Sequence, residues 1–508
     1  MQTQVERWTL AATILASSMA FIDGSALSIV QLTLQADFAA NYNLIAWVVN
    51  GYNLMLAALI LVGGALGDIY GRKRIFSFGI ILFAAASAAC GAAPTIELLI
   101  IARILQGIGG ALMVPGSLAI LSSVFPPDRR GAAIGLWSMF GAVMVILGPL
   151  LGGQFAALNF WRGVFFINLP IAAIALYGLR YIPETRDPNA RRLDLPGAAL
   201  ITLALAGLTY GFTEAPAQGF SSPLVLITLV GGVVALIAFV VVESRSAHPM
   251  IPLGLFRSRM FVGTNLLTFF LYAGLGVLPV FFSLTLLRAQ AYSPQMAALA
   301  LLPLALSLIA LSRIMGGLVA RVGARPLLTI GPALAGLGFF LFSLPGVTEG
   351  ESAYFTTYFP AVLIFGIGMG ITVAPLSTSV MNSAPSTSSG TASGINNAIS
   401  RTAGVLAVAI FSALAVGIFS QALVSAAAPL NLDAASLDAL QAQAPRLADA
   451  AVPETVPTVL QGAANLAIRG AFVEVFRVVA WGSALLAWLG ALAALLFVRD
   501  QRSVVGGA

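Results

Sequence analysis

Stretches of about 20 apolar residues, the length a helix needs to cross a hydrocarbon core about 30 Å thick at about 1.5 Å per residue, recur along almost the whole chain. Such segments have one stable form. Inside a bilayer no water satisfies the backbone amides, so each segment closes its hydrogen bonds internally as a helix. Fourteen spans are expected, near residues 8–30, 44–67, 75–92, 96–121, 132–155, 165–182, 195–213, 223–242, 261–287, 294–319, 327–344, 355–381, 395–423 and 472–498. Composition points the same way: of 508 residues 59% are hydrophobic and 9% charged, against about 25% charged in soluble domains. The fold class expected is an all-α membrane protein with 14 transmembrane helices.

The first segment is too long, and too polar at Asp23, for a secretory signal, and is expected to stay as the first helix. Cys90 is the single cysteine, so no internal disulfide is expected. The net charge of +6 raises the question of nucleic acid, but the positions of the 25 Lys and Arg residues argue against it. With the N-terminus inside, Arg72, Lys73, Arg74, Arg129, Arg130, Arg186, Arg191, Arg192, Arg245, Arg257, Arg259, Arg321, Arg325, Arg499 and Arg502 all fall on the cytoplasmic side. The opposite side holds Arg162, Arg288, Arg446 and Arg469. The positive-inside rule therefore places both termini in the cytoplasm and requires an even number of spans.

The chain also repeats itself weakly. "GGALGDIYGRKR" (63–74) closes the second span and "GGLVARVGARP" (316–326) the tenth. Parallel repeats about a central substrate path are a common plan for transporters. The organisation expected is six, two and six helices: a first bundle over 1–192, two inserted helices with a cytoplasmic linker over 193–260, and a second bundle over 261–508. The longest polar stretch, 424–471, is expected outside. There Leu432, Leu437, Leu440 and Leu447, with Asp433 as N-cap, suggest a short amphipathic helix or a loop packed on the bundle.

Polar residues within the spans are functional candidates, because burying charge in hydrocarbon costs several kcal/mol. Asp23 is the one carboxylate clearly in mid-membrane; Glu97, Glu214 and Glu474 fall near helix ends. Burial opposes ionisation of a carboxylate while a nearby guanidinium favours it, so Asp23 is a candidate proton carrier. A permanent ion pair, or a countercharge for a cationic cargo, is the alternative. Arg103 lies about seven residues, or roughly 10 Å, inside the fourth span and should face the bundle interior, with Gln106 one turn on. Arg313 is a further arginine within a span. Substrate-cavity candidates are Trp47, Asn50 and Asn53 in the second span, Thr264, Asn265, Thr268 and Tyr272 in the ninth, and Asn396 and Asn397 in the thirteenth. Hydrogen bonding between helices explains each of these equally well.

Several of these stretches resemble a known family. "GGALGDIYGRKR" resembles the loop signature of the major facilitator superfamily, "IARILQGIGGALMVPGSLAIL" its fourth-helix motif and "ILGPLLGG" its antiporter motif. "WRGVFFINLP", "HPMIPLGLF" and "GTASGINNAISRTAGVLAVAI" are similar to the fourteen-helix drug:proton antiporter branch. The resemblance implies the major facilitator fold. It further implies a latch at Gly64, Gly67, Asp68, Gly71, Arg72 and Arg74 that favours the outward-open state. It assigns Arg103 and Gln106 to the proton-coupling network, and Gly148, Pro149, Gly152 and Gly153 to a seal between the halves. The second repeat has Ala320 and Arg321 where the first has its aspartate, so the latch is expected to be one-sided.

No enzyme chemistry emerges from the sequence: there is no P-loop lysine and no zinc-spaced His and Cys cluster. His248, the single histidine, has no expected partner, and neither metal nor cofactor is expected. The function expected is proton-coupled export of small amphipathic or hydrophobic compounds by alternating access. The working form is a monomer in a bacterial inner membrane, with the proton gradient as energy source and no role for nucleic acid; the sequence leaves any periplasmic adaptor open. Two other readings stand beside it: an exporter or flippase of an endogenous lipid or secondary metabolite, and a membrane sensor or scaffold that does not transport.

Overall fold

The computed structural model describes residues 3–40, 42–186, 194–246, 249, 253–348, 350–385, 389–430, 432–443 and 450–499. Arg191, Arg192, His248, Arg446, Leu447 and Arg502 lie outside the described residues. Every regular element among the described residues is helical. The first six main helices are α1 (Gln4–Asp37), α2 (Tyr42–Tyr70), α3 (Arg72–Ala92), α4 (Ile96–Val124), α5 (Pro127–Ala157) and α6, an apolar segment over Gly163–Leu179 that breaks once at Ile167. Next come α7 (Leu195–Gln218) and α8 (Pro223–Arg245). The rest are α9 (Arg259–Leu284), α10 (Leu302–Val322), α11 (Ala324–Phe342), α12 (Tyr354–Asn382), α13 (Ser389–Ala427) and α14 (Thr458–Phe497). Among the described residues twelve helices are long and apolar enough to cross a membrane. The two further expected spans are occupied by α5, of 31 residues, and by the shorter α6.

Local chemistry sets several boundaries. Thr3 and Glu6 cap each other's backbone amides at the start of α1, a reciprocal box that begins the helix before its apolar run. Pro223 opens α8 in the first turn, where its missing N–H has no helical partner to lose. The tenth expected span is divided, with a short helix over Pro294–Leu299 preceding α10. The largest difference from the sequence reading is at 424–471. There α13 runs on to Ala427 and α14 already begins at Thr458, because helices extend past the bilayer on residues that hydropathy does not register. Between them Asp433 caps a helix over Ala434–Gln441, which turns Leu440 into the core.

Packing brings one end of the bundle together. Glu6 at the start of α1 meets Arg129 in the first turn of α5 at 2.7 Å, and Arg325 in the first turn of α11 donates to the Leu495 carbonyl near the end of α14 at 3.1 Å. At this end residues of α1 to α6 share one apolar cluster with Phe261, Leu328, Leu376, Val380, Ile395 and Val498. At the opposite end, by contrast, Ile22, Val30, Ile45, Trp161 and Phe165 form one cluster, while Phe282, Phe342, Tyr358 and Phe476 belong to another. The core is continuous at one end and split at the other. Helix α7 packs on α8 and lies against α2 and α13. Outermost α8, with mean hydropathy 3.0, leaves most of its surface exposed, as lipid contact requires.

Close contact at the joined end depends on absent side chains. A Cβ on Gly131 of α5 would stand 2.2 Å from the Gly316 carbonyl oxygen of α10, and one on Gly64 of α2 would stand 2.5 Å from that of Gly390 in α13. Gly131→Leu therefore forces α5 and α10 apart, and overpacking of this kind costs about 1–3 kcal/mol. The expected result is a lower unfolding temperature for the purified protein. In a Cys90→Ala background, thiol reagents should also label Ser379→Cys faster, since Ser379 is only 1% exposed. Equal labelling with and without the leucine would contradict a joint at this position.

Candidate functional site

Two polar assemblies stand inside this apolar frame. The first is centred on Asp23 of α1, which is fully buried. Its Oδ2 accepts a hydrogen bond from Nη1 of Arg103 at 2.5 Å, and its Oδ1 accepts from Nε2 of Gln106 at 2.9 Å. Both donors lie one turn apart on α4, so a single helix face grips the carboxylate from two sides. Arg103 in turn donates through Nε to the Val48 carbonyl of α2 at 2.9 Å and through Nη1 to Gln106 Oε1 at 2.6 Å. Its guanidinium lies 4.4 Å over the Tyr52 ring. Gln106 Nε2 also reaches Ser87 Oγ of α3 at 3.3 Å, and Ser87 accepts from Asn168 of α6 at 3.0 Å. One charge pair thus ties together α1, α2, α3, α4 and α6.

The position of α1 against this site follows from α5. A Cβ on Gly148 would fall 1.8 Å from Ser25 Oγ and one on Gly152 2.6 Å from the Ala26 carbonyl oxygen, so α5 presses directly behind Asp23. These glycines meet α1, whereas α5 meets α10 of the other half at Gly131 and Gly135. Their closest approach lies within the first bundle, a few turns farther along α5 than its contacts with α10. Nothing lies within 4 Å of a Cβ on Gly153, and the Pro149 side chain lies outside the described residues.

The second assembly is at the joined end. Asp68 of α2 pairs with Arg72 at 2.9 Å, and its oxygens also accept from the backbone amides of Gly390 at 3.2 Å and Thr391 at 2.8 Å and from Thr391 Oγ1 at 3.1 Å. A carboxylate is thereby seated on the positive end of α13, which belongs to the other half. Gly71, at φ +111°, makes the turn into α3 in a region that side chains disfavour. Glu184 then receives the amides of Lys73 and Arg74 at 2.9 and 3.0 Å, capping α3. Of the other latch candidates, Gly64 touches α13 directly, Arg74 is exposed, and Gly67 has only Arg72 near its Cβ position.

The cavity candidates separate into groups. Asn265 and Thr268 of α9 both accept from Asn396 Nδ2 of α13, at 3.1 and 2.7 Å, which is hydrogen bonding between helices. Thr264 bonds the carbonyls of its own helix, and Asn397 donates to the Ser393 carbonyl one turn back. The Trp47 ring packs 5.7 Å from Tyr210 of α7. Asn50 and Tyr272 are half-buried, and Asn53 and Arg313 are exposed.

Sequence reasoning passed over Tyr52, Ser87, Asn168, Glu184 and Arg401. The first four carry no charge in a span or lie in a connection, so no signal marked them. Arg401 did carry one: it is a lone arginine inside the apolar run of α13, the same signal that singled out Arg103.

Comparison with known proteins agrees with this architecture. The chain resembles solved structures of the proton:xylose symporter XylE (TM-score 0.62, 16% identity, covering 98% of this chain and 97% of that one) and of the human organic anion transporter MFSD10 (TM-score 0.57, 15% identity, 95% and 100%). Its sequence is 34% identical over 395 residues to the multidrug resistance protein Stp of Mycobacterium tuberculosis, covering 77% of this chain and 72% of that protein. It is 33% identical over 414 residues to the puromycin resistance protein pur8 of Streptomyces alboniger (81% and 82%). It is 31% identical over 411 residues to the tetracenomycin C resistance and export protein of Streptomyces glaucescens (80% and 75%). The profile of the Major Facilitator Superfamily matches residues 13–408, and with that match, these relatives and the helical architecture just described, the chain belongs to the Major Facilitator Superfamily.

Proposed function

We propose that this multi-pass membrane protein is a proton-driven exporter of small amphipathic compounds, working by alternating access as a monomer in a bacterial cytoplasmic membrane with both termini inside. Relatives named for multidrug resistance, puromycin resistance and tetracenomycin C export support the cargo class. The bias of Arg and Lys toward the end that holds the Asp68 latch supports the orientation. In this reading 1–192 and 261–508 are the moving halves, and 193–260 is the insert whose helix α7 covers the seam between α2 and α13.

The observation that carries the coupling is that both oxygens of one buried carboxylate are held by donors on a single neighbouring helix. Ionised Asp23 clamps α1 to α4. A proton on Asp23 turns one acceptor into an O–H and removes the charge that offsets Arg103, while Arg103 keeps Val48 and Gln106. Losing one member of a buried pair costs about 3–5 kcal/mol, enough to shift a conformational equilibrium. Because α5 is seated on α1 at Gly148 and Gly152 and on α10 at Gly131 and Gly135, a movement of α1 reaches the joint between the halves. In this reading the continuous core and the Asp68 contact support an outward-facing state, in which Asp23 takes its proton from outside. Cargo entering from the cytoplasm in the other state then favours proton release inward.

The test is reconstitution in liposomes with an imposed pH gradient, scanning cationic dyes, neutral drugs and lysolipids. Wild type should move protons when its cargo is added. Asp23→Asn should bind the same cargo while proton movement falls by roughly a hundredfold or more, the scale of a positioned proton-transfer group. Equal proton movement in the two proteins would remove Asp23 from the coupling step. For the latch, Asp68→Asn weakens an anion held at a helix N-terminus, an interaction of about 0.3–2 kcal/mol. Labelling of Ser379→Cys in the Cys90→Ala background should rise by about two- to thirtyfold. An unaltered labelling rate would mean that Asp68 does not govern opening at this end.

A further inference from the structure

Arg401 stands apart from every other ionic group in the interior. It lies six residues into the apolar run 395–423 of α13, about 9 Å inside the hydrocarbon core at helical rise. Its Nε is shut off from solvent with no hydrogen-bond partner, and among the described residues its guanidinium forms no ion pair. Arg103, the buried cation of the first half, has Asp23, Val48 and Gln106. The two arginines share one neighbour. Tyr52 of α2 lies under the Arg103 guanidinium and also interacts electrostatically with Arg401. Arg401 therefore faces the interior across the seam where α13 packs on α2 and α4, with Asn397 one turn before it on the same face. As a residue Arg401 remains partly accessible.

An arginine whose buried Nε has no acceptor destabilises the empty protein. Asp23 does not neutralise it, because both of its oxygens are taken by α4. From this we infer that Arg401 is the docking point for an anionic group of the cargo, a carboxylate or an ionised phenol, with Tyr52 and Asn397 beside it and the apolar body of the cargo between the halves. The inference rests on the export reading and narrows it to amphipathic acids. A cation in the same place meets one more positive charge and no free carboxylate.

The experiment uses the full-length protein in lipid nanodiscs at neutral pH, without a gradient. Three matched probes are titrated: a dansyl-labelled long-chain carboxylic acid, its methyl ester and the corresponding primary amine, with energy transfer from the protein's tryptophans as readout. In wild type the acid should bind about tenfold or more tighter than the ester, as a charge-assisted hydrogen bond provides, and the amine most weakly. Arg401→Gln should bring acid and ester to equal affinity without weakening the ester, and Arg401→Lys should keep part of the preference. Equal affinities for acid and ester in wild type, or tightest binding of the amine, would overturn the inference even if a variant failed to fold. So would a preference for the acid that persists in Arg401→Gln. In proteoliposomes with a pH gradient, binding of the acid without movement of any probe would refute the export reading and leave the anion site standing. Movement of the probes with no advantage for the acid would do the reverse.

Discussion

A carboxylate and a guanidinium facing each other at 2.5 Å in a fully buried setting organise the first half of this protein. Neither charge is tolerable alone in hydrocarbon, and together they are tolerable only when their remaining donors and acceptors are also met. The structure meets them with Gln106 and the Val48 carbonyl, extends the network to Ser87 and Asn168, and roofs the guanidinium with the Tyr52 ring. Five helices are positioned by this requirement. A change of one proton at its centre alters the constraint on all of them, which is what a coupling site has to do.

Whether such a change can move anything depends on how the halves touch. They share a core at one end and keep separate cores at the other, so the joined end is a contact that can open. Its packing is tight and glycine-lined, at Gly131 on Gly316 and Gly64 on Gly390, which lets backbones approach without interlocking side chains. Asp68 adds an electrostatic contact at the α13 N-terminus, while its partner Arg72 is anchored through its amide to the Thr185 carbonyl beside Glu184. The device is asymmetric. At the other joint Arg130 donates to Asn382, and no carboxylate takes the place of Asp68 in "GGLVARVGARP".

The helices, their number and the grouping of positive charge were legible in the sequence, because length and hydropathy act locally and the bilayer imposes the rest. Boundaries beyond the hydrocarbon were not: the fourteenth helix starts at Thr458, well before its apolar stretch, since a helix leaving the membrane carries no hydropathy signal. Asp23, Arg103 and Gln106 drew notice as polar residues in apolar runs, and the structure brings these three into one network. Asn265 and Thr268 drew notice for the same reason, and they bind a neighbouring helix instead. A polar residue in a span has to find a partner, and sequence does not say whether the partner is a helix, a proton or a cargo.

Sequence alone therefore determined that this chain is a membrane-spanning helical protein of a transporter family, since each span's apolar length and each motif is encoded over a few turns. Tertiary structure decided which polar groups face one another. Asp23 is separated by 80 residues from Arg103, and Asp68 by 323 from Thr391. Contacts of that range are set by how α1, α5 and α13 are seated against their neighbours. Tertiary structure also left Arg401 Nε buried without an acceptor among the described residues, because that depends on what α2 and α4 present across the seam and on no feature of α13 itself.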